Sequence, residues 1–102
     1  MKLLDMPRGT GKTTLLKYLS KKNNVPIIVC NQKQKFYIKM KNPTIEIYTY
    51  EEFLKLEVKP KRVYIDEVFG LLNQLFKGTT IDIVTFSREE LEKDEDLLYF
   101  KK

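Results

Sequence analysis

The sequence predicts an α/β domain of three layers around a mostly parallel five-stranded sheet, at minimal size, and three observations carry that expectation. Short β-branched runs alternate with segments of helical spacing, which is the pattern of βα units. A glycine-rich turn stands between the first apolar run and the first helical segment. The chain has 102 residues, 42% apolar and 32% charged, enough for one modest core but not for two domains. Residues 1–102 therefore read as a single domain, with 88–102 an acidic tail or helix.

Taken in order, residues 2–6 form the first predicted strand, residues 7–11 the glycine-rich turn, and a helix follows with Leu15, Leu16 and Leu19 on its apolar face. Lys21 to Asn24 close that helix. The β-branched run 25–30 predicts a buried second strand, and 32–41 a basic helix with Phe36, Tyr37 and Met40 on one side, ended by Pro43. Residues 44–48 alternate as a third strand, and 50–56 have the spacing of a short helix. Residues 62–65 form a fourth strand running into Asp66 and Glu67. A helix over 69–76 capped by Gly78, a fifth strand over 81–86 and an acidic helix from Ser87 complete the expectation.

Several chemistries are excluded by composition. With no histidine and one cysteine, Cys30, the chain has no His-based triad, no zinc ligand set and no internal disulfide. No apolar run approaches the roughly 20 residues that span a bilayer, and the N-terminal residues lack a signal-like apolar stretch, so a soluble cytoplasmic protein is expected. The net charge of +5 is unevenly placed. Residues 1–41 hold ten Lys or Arg and one acid, Asp5, a net +9 that leaves −4 for the remainder. A basic front half suits a polyanionic partner, although lysine is also a common solubilising residue.

The stretch Met6-Pro7-Arg8-Gly9-Thr10-Gly11-Lys12-Thr13-Thr14 is the most informative. A loop that wraps a phosphate needs glycines where the backbone comes close or takes positive φ, so that successive N–H groups point at the anion. Gly9 and Gly11 supply those positions, Lys12 a compact cation, Thr13 a hydroxyl for Mg²⁺, and the helix N-terminus a partial positive charge. The competing reading is a glycine-rich turn that merely caps a helix.

These residues resemble the Walker A motif of the P-loop NTPases, matched at Gly11, Lys12 and Thr13, with Met6 where the pattern has its first glycine. The resemblance implies a nucleotide site made by Arg8, Gly9, Thr10, Gly11, Lys12, Thr13 and Thr14, with ATP and Mg²⁺ as ligands. The apolar strand ending in Asp66-Glu67 is similar to the Walker B motif. By that likeness Asp66, with Thr13, holds the metal, and Glu67, with Lys12, is catalytic, Glu67 polarising the attacking water. An acidic helix N-terminus is the plainer account of the same pair. In the matching place on the next predicted strand, Thr85 or Ser87 would sense the γ-phosphate; Ser87 with Glu90 also spells a capping box, its favoured role. Arg88 would serve as a trans-acting finger only in an assembly, and otherwise is a surface residue.

The combination looks like the nucleotide-binding half of a helicase or a phage DNA-packaging ATPase. Lys33, Lys35, Lys39 and Lys41, interleaved with Phe36 and Tyr37, are the candidate nucleic-acid segment, although aromatics on a helix pack into a core more readily and that reading is favoured. A second domain or neighbouring subunit usually closes such a site. The expectations are thus a minimal Mg²⁺-dependent ATPase working on nucleic acid, as a homo-oligomer or with a larger partner, or a nucleotide-binding regulatory or inhibitory protein that hydrolyses little. A small kinase is third, lacking an arginine-rich lid segment. ATP over GTP is the default, because no Asn-Lys-x-Asp pattern is present.

Overall fold

The computed structural model describes residues 11–85. The predicted strand at 2–6 and the acidic tail fall outside those residues, as do Arg8, Gly9 and Thr10. Four helices and three strands alternate along the described chain: α1 (Lys12–Asn23), β1 (Ile27–Val29), α2 (Gln32–Lys41), β2 (Ile47–Thr49), α3 (Tyr50–Leu54), β3 (Tyr64–Ile65) and α4 (Val68–Leu75). The sheet is parallel with the order β2-β1-β3. Ile27 and Ile28 stand opposite Ile47 and Tyr48 on one side and opposite Tyr64 and Ile65 on the other.

β1 is central, and its sequence explains why. Successive strand residues face opposite sides of a sheet, so a strand covered on both faces must be apolar throughout. Ile27, Ile28 and Val29 are all buried. Ile27 and Val29 form the core with Ile38, Ile45 and Ile47, with Leu16 and Tyr64 packed against it. α1 turns Leu15 and Leu19 inward, as its spacing requires, and ends at Asn24, which takes the left-handed conformation that asparagine tolerates well. α3 starts with a complete capping box, Thr49 and Glu52 each bonding the other's backbone N–H. No described helix is long and apolar enough to cross a membrane.

Two expectations are corrected. Phe36, Tyr37 and Met40 do share one side of α2, but that side faces solvent, with exposures of 69%, 61% and 60%. The inward side instead carries Ile38 and three polar anchors. Gln34 bonds Asp66, Lys35 bonds Glu52 across to α3, and Lys39 donates to the Ile45 carbonyl. Directed polar bonds to the sheet ends and to α3, together with one buried isoleucine, thus set the rotation of the helix.

Residues 81–85, read as the bulk of a fifth strand, lie in no ladder, and Ile83 and Val84 are exposed. The segment instead runs beside α4, where Ile81, Asp82 and Val84 line a surface cleft with Phe69, Leu72 and Asn73. A β-branched run becomes a strand only when an edge is offered to it, and β3 offers just two residues. The described sheet has three strands.

Candidate functional site

The site lies where the N-terminus of α1 meets the C-terminal ends of the parallel strands. Gly11 sits at the N-cap of α1 with φ 90°. Space around its Cα is open, so the backbone angle, rather than crowding, calls for glycine. Without a side chain, Gly11 gives no capping acceptor, and no acid lies in the first turn. The first-turn N–H groups of α1 therefore keep their partial positive charge uncompensated by a cap.

β3 delivers the acids. The N–H of Asp66 donates to the Ile28 carbonyl at 3.0 Å, which extends the strand's pairing to the carboxylate-bearing residue itself. Glu67 follows at the N-cap of α4 in a left-handed conformation, φ 60° and ψ 68°. This turn sends the two acidic side chains to different partners. The Thr13 hydroxyl donates to Asp66 Oδ2 at 2.9 Å, and Lys12 Nζ pairs with Glu67 Oε1 at 2.7 Å. Pairs separated by 53 and 55 residues thus close over one spot.

Asp66 is 2% exposed. Burial pushes its carboxyl above the ordinary carboxylate range and the charge of Glu67 adds to this, while the Thr13 hydroxyl, the Lys12 ammonium and the Gln34 amide oppose it. Gln34 is the residue that sequence reasoning missed. Its Nε2 donates to Asp66 Oδ2 at 2.9 Å, the oxygen that also receives Thr13, while its Oε1 accepts the Cys30 N–H at 3.4 Å. The Asn31 cap places it, accepting from the Gln34 N–H at 2.8 Å. The Asn-x-x-Gln spacing is a sequence signal of a helix start, but the side chain turns to Asp66 rather than back to the cap.

Cys30 closes the back of the site. Its thiol donates toward the carbonyls of Glu67 and Asp66, at 3.5 and 3.9 Å. Burial, then the charges of Asp66 and Glu67, push the thiol up, so it stays protonated as that donor. α4 approaches closely enough that a Cβ on Gly70 would stand 2.7 Å from Cys30 Sγ.

Of the remaining sequence candidates, Thr14 is exposed on the first turn of α1. Thr85 is exposed and makes no hydrogen bond to this cluster. The donor set suits a small hard cation: Thr13 supplies a hydroxyl and Asp66 a buried carboxylate. No group of three or more acidic, cysteine or histidine side chains is available to cage an ion among the described residues. Such a set fits Mg²⁺, which retains water and phosphate oxygens among its ligands, better than a fully protein-caged metal.

Comparison with curated proteins and with solved structures gives no significant match. Comparison with protein families does: the family described as the AAA domain matches residues 1–78, which take in the glycine-lysine turn, the three described strands and the Asp66-Glu67 pair. The chain therefore belongs to the AAA domain family, an assignment that agrees with its small parallel α/β fold and points to nucleotide-binding, ATPase-type chemistry.

Proposed function

We propose that the protein binds ATP with Mg²⁺ at the α1 N-terminus and hydrolyses it, and that the energy serves work on a nucleic acid or a partner protein. One observation carries the reading: a lysine and a threonine at the start of α1 converge on two adjacent acids at the end of β3, in complementary pairs. A glycine-rich helix start that only capped a helix would have no use for this convergence.

In this reading Lys12 and the uncapped N–H groups of α1 take the β- and γ-phosphates, with Arg8, Gly9, Thr10, Gly11 and Thr14 completing the loop around them. Thr13 and Asp66 hold the metal, which when bound would neutralise phosphate charge. Gln34 and Thr13 fix the Asp66 carboxylate by hydrogen bonds to the same oxygen. Glu67 is the general base. Once Lys12 engages phosphate, the Glu67 carboxylate can accept the proton of the attacking water. Thr85 is the candidate γ-phosphate sensor, and a second copy or a larger partner completes the site.

The test is phosphate release from MgATP with the full chain and Glu67→Gln. Loss of the base should lower turnover by at least about a hundredfold with binding retained; undiminished turnover would refute the assignment. Calorimetry with Lys12→Ala should show most MgATP affinity gone, and unchanged affinity would refute the site. Binding without turnover under all conditions would favour the regulatory reading.

A further inference from the structure

The four lysines of α2 fall into two groups. Lys35 is bound to Glu52 at 2.9 Å and Lys39 to the Ile45 carbonyl at 2.6 Å, so both are committed to holding the helix on the domain. Lys33 and Lys41 are exposed. They bracket Phe36, Tyr37 and Met40 along one stripe, since positions 33, 36, 37, 40 and 41 recur at the three- and four-residue spacing of a helix face. Lys41 Nζ lies 5.2 Å from the centre of the Tyr37 ring.

A solvated helix face is normally built from Lys, Glu and Gln, and two exposed aromatic rings beside Met40 and two lysines, on a helix without an acid, need another explanation. No acid occurs between Asp5 and Glu46. The complementary ligand is therefore a polyanion that also presents flat apolar faces. We infer that this face of α2 binds single-stranded nucleic acid, with bases stacked on Phe36 and Tyr37 and phosphates met by Lys33 and Lys41. A duplex hides its base faces and offers only its backbone to such a stripe. What favours a nucleic acid over a protein partner is the single sign of the charge along α2, whose four charged residues are all lysines, which suits a run of phosphates. The stripe shares no residue with Lys12, Thr13, Asp66 and Glu67, so this inference and the ATPase reading stand or fall separately.

The experiment is fluorescence anisotropy of labelled oligothymidylate and oligouridylate, and of a duplex of equal length, with the full chain and without nucleotide. Binding of either single strand, stronger than of the duplex and weakened by salt, is expected. Phe36→Leu and Tyr37→Leu, which keep an apolar side chain on an already exposed surface but remove the ring, should each weaken it about tenfold. Lys33→Ala with Lys41→Ala should reduce the salt slope by about 1.4, at roughly 0.7 per phosphate contact. The pair Lys55→Ala and Lys61→Ala, exposed lysines off the stripe, should do so by less. Absence of single-strand binding at low salt overturns the inference, as does equal loss in the Lys55 and Lys61 control. Binding indifferent to both rings also overturns it. Sedimentation showing that the rings are needed for self-association instead would assign the stripe to a second copy of the chain.

Discussion

Glu67 combines a proposed chemical role with an unfavourable backbone, and the two can be separated by substitution. At φ 60° and ψ 68° a residue with a Cβ carries about 1–2 kcal/mol of strain, which glycine does not. Glycine in turn loses about 0.4–1 kcal/mol relative to alanine through the greater freedom of the unfolded chain. Both substitutions remove the carboxylate and its pair with Lys12. That pair is partly exposed, at 25% and 46% of the two side chains, and contributes at most about 1 kcal/mol. The contributions common to both variants cancel between Glu67→Gly and Glu67→Ala. The glycine variant should then be the more stable by about 1 kcal/mol, which corresponds to roughly 4–8 °C in Tm for a domain of this size. Thermal unfolding followed by circular dichroism at neutral pH, without nucleotide, measures the difference. In an ordinary helical position the order is reversed, with alanine ahead by about 1 kcal/mol. An alanine variant that melts at or above the glycine variant would refute the claim that the chain stores strain at this residue.

Three further outcomes are expected. Gly70→Ala sets a helix-propensity gain of about 1 kcal/mol against a 2.7 Å approach to Cys30 Sγ, an overpacking of about 1–3 kcal/mol; it should be neutral or destabilising alone but stabilising beside Cys30→Ala, and equal effects in both backgrounds would show no contact. Asp66→Asn should raise Tm at neutral pH while abolishing Mg²⁺-dependent turnover. Because burial raises the folded carboxyl above its unfolded value, folding favours the protonated form, and the native stability contribution falls as pH rises through that raised value. The advantage of the variant should shrink in acid, and a lower Tm than the parent at neutral pH would contradict the reasoning. Glu52 has the opposite sign: hydrogen bonds from Lys35 and then from the Thr49 N–H hold it at about 2 against an ordinary 4.5, so its contribution is present above 4.5 and is lost as pH falls toward 2. Lys35→Ala should flatten the acid limb of a Tm-against-pH profile in that window.

The parts of the molecule that were legible from sequence are those governed by local chemistry. The run Ile27–Val29 is buried because β-branched residues suit a strand covered on both faces, and α2 takes its limits from the Asn31 cap and from the chain that turns before Pro43. Asp66 and Glu67 stand at a strand end, as an apolar run stopped by two acids implies. The failures arise where distant groups decide. Hydropathy counts three apolar residues on one side of α2 against Ile38 on the other, and it cannot register that Gln34, Lys35 and Lys39 find partners 32, 17 and 6 residues away. Ile81 to Val84 has strand composition, but composition does not say whether an edge is free to receive it. Gln34 was invisible for the same reason, its role depending on a carboxylate that only the sheet brings near.

The pair between Lys12 and Glu67 makes anion capture an exchange of counter-ions. Any anion that takes the lysine must displace a carboxylate already seated 2.7 Å away, so a monovalent anion gains little by substituting one charge for another. A ligand with several adjacent charges can engage the lysine and the helix N-terminus together, and for it the exchange is favourable. In the proposed nucleotide site the internal carboxylate would thus act as a weak competitor, biasing the lysine against chloride and simple carboxylates. In the proposed reaction its release would coincide with the arrival of the polyphosphate, when Glu67 is needed as the base.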